Sequence, residues 1–242
     1  MSNPDCPHLS IIGFGAFGQL IARHLRDHMT LCVCDPVLLV NDLLQVDLAQ
    51  AARCRIIVLS VPLSQMRSVL HIIAPHLRPG AMVIDVASVK LRPATMMQAI
   101  LPDHAQIVAT HPLFGPASAR EGLTGHRIAW CPLRGDGHRR AAAFLRRLGL
   151  RVLATTPEAH DREMAVVQGL THLIAQGLSG IGPIPDRLTT ESFRRLVEAV
   201  AMVQADSPDL LRTILHDNPH AGPVRARFVK AIAGIAEMAE TG

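Results

Sequence analysis

Short apolar runs alternate with longer amphipathic stretches from residue 9 to about residue 156. The apolar runs predict buried strands, and the stretches between them predict helices. Predicted strands cover residues 9–14, 31–34, 55–61, 81–86, 106–110, 127–131 and 151–154, and predicted helices cover residues 16–28, 63–76 and 137–148. Because this alternation forms right-handed βαβ units, we predict an α/β domain with a mostly parallel sheet and helices on both faces.

The strand pattern stops after Pro157, and the remaining chain has a helical pattern up to about Met238. Gly, Ser, Asn and Pro residues interrupt this pattern at 180–185, 207–208 and 218–219, where helices are expected to end. We therefore predict two domains, an α/β domain over residues 1–156 and a smaller, all-helical C-terminal domain over residues 157–242.

Composition narrows the functional classes. The 242 residues are 49% hydrophobic and carry a formal net charge of +4, as expected of a globular protein with a sizeable core. Aromatic residues make up only 3%, with no Tyr and one Trp, so the stacking surfaces that single-stranded nucleic-acid binders use are scarce. We expect no nucleic-acid partner.

Cysteine spacing and hydropathy exclude further classes. The five cysteines are an odd number and form no C-x-x-C pair, so we expect neither a metal site nor a disulfide framework. The sequence has no apolar run of the roughly 18 residues that span a bilayer, and its N-terminus lacks a signal-peptide pattern. We expect a cytoplasmic protein without membrane contacts.

The first predicted strand leads into the turn Gly13-Phe14-Gly15-Ala16-Phe17-Gly18 and then into a helix. This G-x-G-x-x-G arrangement is typical of Rossmann-type dinucleotide-binding domains. The first glycine permits the turn, the second admits the pyrophosphate, and the third lets the helix pack closely on the strand. We predict that the cofactor, with its phosphates at the helix N-terminus, is bound by Gly13, Gly15, Ala16, Phe17 and Gly18.

Asp35 follows the second predicted strand, 22 residues after Gly13, which is close to the usual spacing of about 20. A carboxylate at this place binds the ribose 2′-hydroxyl and repels a 2′-phosphate, so the sequence favours NAD over NADP. Ser60, Val61 and Pro62 end a later strand where the nicotinamide half of such cofactors passes. A plain strand end explains those three residues equally well.

Two segments at predicted strand ends carry polar residues, Asp85-Val86-Ala87-Ser88-Val89-Lys90 and Thr110-His111-Pro112-Leu113-Phe114-Gly115-Pro116. Ligands bind outside the carboxyl ends of strands in open α/β sheets. His111 could accept the proton of an alcohol while hydride leaves its carbon, because imidazole has an ordinary pKa of about 6.5. Single histidines are also commonly structural, so these residues alone leave the role of His111 open.

Five segments together resemble the prephenate/arogenate dehydrogenases of tyrosine biosynthesis. They are GFGAFGQ at 13–19, DVASVK at 85–90, THPLFGP at 110–116, EAHD at 158–161 and QGLTH at 168–172. The segments occur in the family's order and roughly at its spacing, and they cover most of the chain. GFGAFGQ, THPLFGPAS and HLIAQGL are most similar to the plant-type arogenate dehydrogenases and their short bacterial relatives.

The resemblance implies an NAD-dependent enzyme that oxidises the C4 alcohol of prephenate or arogenate and releases the ring carboxylate as carbon dioxide. The product would be 4-hydroxyphenylpyruvate or tyrosine. The resemblance makes His111 the base that accepts the hydroxyl proton, and Ser88 the residue that orients the hydroxyl, the histidine and the nicotinamide. Aromatisation drives decarboxylation, so positioning and one base suffice.

The resemblance also implies substrate contacts and an assembly. The substrate-binding residues would be Ser88, Thr110, His111, Gly115, Gln168, Thr171 and His172. The last three share one face of a helix in the second domain, where His172 either holds a substrate carboxylate or packs between helices. Family members usually form homodimers through the helical domain.

For two charged residues near these segments, a structural role explains the sequence as well as a binding role does. Lys90 either faces a substrate carboxylate or starts the next helix. Asp161 lies in the first turn of the helix that follows Pro157, where its charge would complement the helix dipole.

The sequence departs from the family pattern at two places. Many bacterial members carry an arginine that clamps the ring carboxylate, and Met202 stands at the matching position. Another cation must therefore offset the substrate charge, either Arg194, Arg195, Arg212 or a basic residue of a partner subunit. Cys131 stands near a position that is acidic in arogenate-specific relatives, which favours prephenate.

Two further hypotheses remain. The same architecture serves β-hydroxyacid dehydrogenases and imine reductases, which would use a lysine or an acid of the helical domain in place of His111. The absent arginine also allows a diverged relative that binds NAD and a ring acid without the original chemistry.

Overall fold

The computed structural model describes residues 8–184, 187–204 and 206–241. Contacts divide the chain into two compact units, of which one ends at Pro157 and the other begins at Glu158.

The first unit contains eight strands and five helices within its described residues. In chain order they are β1 (Leu9–Ile12), α1 (Ala16–Leu25), β2 (Leu31–Cys34), β3 (Leu44–Gln45), α2 (Leu48–Ala51), β4 (Ile56–Leu59), α3 (Leu63–Ile73), β5 (Met82–Asp85), α4 (Leu91–Ile100), β6 (Gln106–Pro112), β7 (Arg127–Arg134), α5 (His138–Arg147) and β8 (Arg151–Ala154). A single 3₁₀ turn, Ala74–His76, extends α3.

The strands form one sheet in the order β3-β2-β1-β4-β5-β6-β7-β8. Every neighbouring pair is parallel except β6 and β7, which are antiparallel. The predicted α/β fold with a mostly parallel sheet is confirmed. The antiparallel pair arises because no crossover helix separates β6 from β7, so the chain returns beside the strand it has just left.

Both faces of the sheet are covered, and alternate residues of each strand belong to opposite faces. Val83 of β5 and Ile107 of β6 pack with side chains of α3 and α4. Met82 and Val108, one position away, pack with α5 on the other face. Side chains of α1 pack on that same second face, against β1 and β2.

The structure differs from the predicted elements mainly at their ends. The strand β6 continues through Pro112, two residues beyond the predicted end, because it stays paired with β7. No predicted element covers β3 and α2, which have only two and four residues, and α4 was predicted only as the helix that Lys90 would start, without bounds. Helix α2 nevertheless has a sequence signal, since Asp47 and Gln50 form a reciprocal capping box at its start.

The second unit is helical, as predicted. Its described helices are α6 (Pro157–Ile181), α7 (Glu191–Gln204), α8 (Pro208–Arg212) and α9 (Ala221–Thr241), with one π turn at Thr213–Asp217. Ser207 caps α8 and Asn218-Pro219 precedes α9, so two of the predicted breaks are observed. Part of the predicted break at 180–185 lies outside the described residues. None of the helices in the described part of the chain has the length and hydrophobicity that a membrane crossing needs.

Candidate active site

The glycine turn follows β1 at the edge where β1, β4, β5 and β6 end, which we call the carboxyl edge. Gly13 has a φ of +91°, and a Cβ atom there would collide with the carbonyl of Ser60. A Cβ atom on Gly18 would collide with the carbonyl of Gly13. Around Gly15, by contrast, a Cβ would meet no atom within 4 Å. The first and third glycines therefore permit close backbone packing, and the second leaves open space above the turn.

Helix α1 begins at this turn with Gly15 as its N-cap, and no side chain caps it. Its first amide N–H groups, together with the helix dipole, favour an anion at this end. The open space at Gly15 lies at the same end of the helix. These residues fit the pyrophosphate of a dinucleotide.

Asp35 is held beside the glycine turn by three backbone amides. The N–H of Phe14 donates to its Oδ2 at 2.7 Å, and those of Val37 and Leu38 donate to its Oδ1, each at 2.9 Å. Partial burial raises the pKa of Asp35, but the amides of Leu38, Phe14 and Val37 together outweigh it, so its pKa lies below the ordinary value. The carboxylate is therefore charged at neutral pH and fixed at the end of β2.

The segment Ser60–Pro62 follows β4, the neighbour of β1 in the sheet. The N–H of Ser60 donates to the carbonyl of Ile12 at 2.8 Å, which ties this segment to the residue before the glycine turn. The structure thus brings the Ser60 backbone next to Gly13. The ring of Phe17 lies near the segment that follows β6, because its centroid is 6.2 Å from that of Phe114.

His111 lies in β6, and Ser88 follows the end of β5, the parallel neighbour of β6, at the carboxyl edge. Asp85, the last residue of β5, is in register with Ala109 of β6, and His111 lies two residues further along. Since Ile107 and Ala109 pack on the α3–α4 face, alternation places His111 on that face too. His111 lies inside β6 and is only 4% exposed, whereas half-buried Ser88 follows Asp85 by three residues.

A buried lysine joins these strand ends. The sequence alone allowed two roles for it, a contact with a substrate carboxylate or the start of a helix. Lys90 immediately precedes α4, is fully buried, and pairs with the carboxylate of Asp85. Its ammonium also donates to the carbonyl of Thr110 at 2.5 Å. Complete burial raises the pKa of Asp85, against the lowering effect of the Lys90 ammonium and of the Ala87 and Thr110 amides. The lysine therefore serves the protein's own carboxylate.

Thr110 completes this network. Its hydroxyl donates to the carbonyl of Asp85 at 2.6 Å, and its N–H donates to Oδ1 of the same residue at 3.3 Å. Thr110 is fully buried, so its hydroxyl serves the contact between β5 and β6. Of the other predicted substrate contacts in this unit, Gly115 is half-buried and has open space where a Cβ would be.

The predicted residues of α6 differ in their exposure. His172 is buried, Gln168 is half-buried, and Thr171 is exposed with its hydroxyl on the carbonyl of Val167. Both ring nitrogens of His172 have partners, the carbonyl of Gln168 at 2.9 Å and the carboxylate of Asp206 at 2.9 Å. The structure thus shows a His172–Asp206 pair within the helical unit.

Asp161 does not act as an exposed partner of the helix dipole. Its side chain is fully buried and lies 2.8 Å from Nδ1 of His160, which is also buried. Its carbonyl accepts a hydrogen bond from Asn218 at 2.7 Å, so this residue joins α6 to the segment before α9. Glu158 is the acidic residue of the first helical turn.

The arginines considered as replacements for the carboxylate clamp have different surroundings. Arg194 pairs with Glu191 and Glu198, and Arg195 pairs with Glu191. Arg212, at the end of α8, has no acidic partner among residues 8–184, 187–204 and 206–241. Met202 is 74% exposed. Cys131 is fully buried in the core opposite Ala109.

Two known domain families together match most of the chain. Residues 27–154 match the nucleotide-binding domain of prephenate dehydrogenases, and residues 156–242 match their dimerisation domain. The chain belongs to the prephenate dehydrogenase family. The glycine turn at 13–18 precedes the matched range, so it supports the assignment independently.

Individual relatives agree with this membership. The chain is 26% identical to a probable arogenate/prephenate dehydrogenase of Methanocaldococcus jannaschii over 76% of its own length and 43% of the relative's. It is 27% identical to the chloroplastic arogenate dehydrogenase 2 of Arabidopsis thaliana over 88% of its length and 64% of the relative's. The chain thus spans less than two thirds of either protein.

A solved structure shares the fold. The prephenate dehydrogenase of A. aeolicus, crystallised with hydroxyphenyl propionate and NAD+, aligns with a TM-score of 0.75 and 20% identity. The alignment covers 95% of this chain and 89% of the other.

Proposed function

We propose that the protein catalyses the NAD-dependent oxidative decarboxylation of prephenate or arogenate. The observation that carries this proposal is the placement of His111 near the end of β6 and of Ser88 just after β5, its parallel neighbour, at the edge where the glycine turn lies. Family membership supplies the reaction class. The relatives, an arogenate/prephenate dehydrogenase and an arogenate dehydrogenase, supply the two candidate substrates.

In the proposed reaction His111 accepts the proton of the substrate's C4 hydroxyl. The histidine suits this role because it is paired with Ala129 of β7 and lies two residues beyond the last pair of β6 with β5. A buried base at a fixed position needs little reorganisation when the hydroxyl reaches it. Ser88 lies on the half-buried segment after β5 and orients the hydroxyl. Loss of carbon dioxide then makes the ring aromatic and needs no further acid.

We propose NAD as the cofactor, which accepts hydride when bound. The turn residues Gly13, Gly15, Ala16, Phe17 and Gly18 contribute backbone contacts to its pyrophosphate, and Asp35 binds the ribose hydroxyl. The charged state of Asp35 supports NAD over NADP, because two negative groups at that place repel each other. Ser60, Val61 and Pro62 border the nicotinamide half.

We propose residues 1–156 as the NAD-binding domain and residues 157–242 as the domain that contributes Gln168, Thr171 and His172 to the substrate and joins two copies into a homodimer. The exposed apolar side chains Val229, Ile232, Ile235 and Met238, which recur every third residue along α9, support the dimer. The pairing of His172 with Asp206 supports a fixed ring orientation for that histidine.

A substrate comparison tests the proposed activity. The protein is mixed with NAD and either prephenate or arogenate, and NADH formation is followed by absorbance. We expect turnover with one of them, and prephenate is favoured because Cys131 stands near a position that is acidic in arogenate-specific relatives and has no carboxylate to pair with the amine of arogenate. Absence of NADH with both substrates, in protein that binds NAD, would refute the reaction and leave the cofactor assignment standing.

A further inference from the structure

A cavity of about 680 Å³ lies within the first unit, on the face of the sheet covered by α1 and α5. The cavity runs along β4, β5 and β6 between the two helices. At one end it reaches Phe17, Val86 and Phe114, and at the other it reaches His8, Arg55 and Gln106. This volume is within the range of about 300–1,000 Å³ that is usual for small-molecule sites.

The cavity lies on the other face of the sheet from His111, although the side chain of Phe17, a residue of the glycine turn, lines it. His111 and Asp85 belong to the opposite face of the sheet, and Gly15 opens at the carboxyl edge. Thr110 and Pro112, which flank His111 in β6, do line the cavity. An occupant would therefore contact the strand that carries His111 from its other face.

The interior is apolar and contains one unpartnered donor. Ile21, Leu25, Ile84 and Leu145 contribute to its walls. Trp130 also lines it and is 3% exposed, and its Nε1 has no hydrogen-bond partner within the described part of the chain. A buried N–H without a partner is costly, because the group has lost its hydrogen bond to water. The donor is covered by protein atoms, so Trp130 is a reporter at the cavity wall and not a contact for the guest.

Basic side chains surround the end of the cavity at the amino edge, where β1, β4 and β5 begin. Arg55 precedes β4, Arg140 lies in the first turn of α5, and His28 follows α1. Neither arginine has an acidic partner among the described residues, and no Asp or Glu among these residues lines the cavity. The cavity thus combines an apolar interior with a positively charged mouth.

We propose that this cavity binds a small monocarboxylate with an apolar body, whose carboxylate lies between Arg55 and Arg140. Charge complementarity selects an anion at the mouth, and the apolar walls select a hydrocarbon or aryl body. A dinucleotide does not suit the cavity, because its sugars and phosphates would lie against apolar walls.

Trp130 provides a direct measurement, because it is the chain's single tryptophan and the chain has no tyrosine. The full-length protein is titrated with decanoate below its micelle concentration, with tryptophan emission as the signal. We expect a saturable change in emission. Decyltrimethylammonium, which has the same chain length and the opposite charge, should bind at least about tenfold more weakly. Unchanged emission with decanoate, or equal binding of the cation, would overturn the proposal.

Two variants test whether the carboxylate of bound decanoate lies beside Arg140. Arg140→Gln should weaken decanoate binding about tenfold, because a charge-assisted hydrogen bond is lost. Arg139→Gln is the matched control, since its neighbouring guanidinium faces Asp136 and does not line the cavity. Circular dichroism confirms that both variants are folded. Equal losses in the two variants, or no loss in Arg140→Gln, would contradict the assigned mouth.

Discussion

At the scale of single residues, Asp35 shows how a spacing in the sequence corresponds to a position beside the glycine turn. Its spacing from Gly13 predicted a carboxylate near the glycine turn, and the structure holds that carboxylate with the Phe14, Val37 and Leu38 amides. The motif could be recognised because the turn and the aspartate follow two neighbouring strands, β1 and β2. The amides of Val37 and Leu38 also fix the loop after β2.

Asp35→Ser should change the cofactor preference. The substitution removes the negative charge that repels a 2′-phosphate, so the ratio of NADP to NAD affinity should rise by about tenfold or more. Titrations of both cofactors measure this ratio. Asp42→Ser, an exposed acid of the same loop that pairs with Arg26, is the control and should leave the ratio unchanged. An unaltered ratio in Asp35→Ser would contradict the ribose assignment.

His111→Asn should abolish most turnover and preserve NAD binding. Asparagine keeps a polar group in β6 but cannot accept the hydroxyl proton, and general bases commonly contribute about 100-fold or more. Steady-state rates and NAD titration separate the two effects. His104→Asn, just before the same strand, changes a ring whose one hydrogen bond to a described residue goes to the carbonyl of Leu77, and it should retain full activity. A His111→Asn enzyme with normal kcat would remove the proposed base.

At the scale of elements, Lys90 joins the end of β5, the adjacent part of β6 and the start of α4. The sequence left its role open because a lysine at a helix start is ordinarily exposed. Only the tertiary structure brings the Asp85 carboxylate and the Thr110 carbonyl to its ammonium. This network fixes the backbone immediately before His111.

Lys90→Met should destabilise the protein by about 3–5 kcal/mol, because it leaves the buried Asp85 charge without its partner. Chemical denaturation measures the free energy of unfolding. Lys230→Met is the matched control, since Lys230 is exposed on α9 and its loss should cost less than about 1 kcal/mol. Equal stability of the two variants would show that the buried pair contributes little.

At the scale of the whole molecule, the described helices of the second unit expose several apolar side chains. Ile232 and Ile235 of α9 are 51% and 58% exposed, and Val167 of α6 is also exposed. Residues 156–242 match the dimerisation domain of prephenate dehydrogenases, which supports the proposal that these side chains face a second copy.

The double variant Ile232→Glu/Ile235→Glu should shift the protein from dimer to monomer, because two carboxylates cannot be buried without partners. Sedimentation at a series of concentrations measures the assembly. Ile72→Glu, at a 48% exposed position on α3 of the other unit, is the control and should leave the assembly intact. A double variant that still sediments as the parent does would place the interface elsewhere.

The sequence by itself determined the alternation of strands and helices, the glycine turn with Asp35, the family and the candidate base. These features are local, because periodicity and motif spacing are properties of neighbouring residues. Only the tertiary structure shows the contacts of Lys90, Asp161 and His172, the extension of β6 through His111, and the cavity beside Trp130. Each of these residues also has a partner distant in sequence, Thr110 for Lys90, Asn218 for Asp161 and Asp206 for His172, and no local pattern specifies such partners.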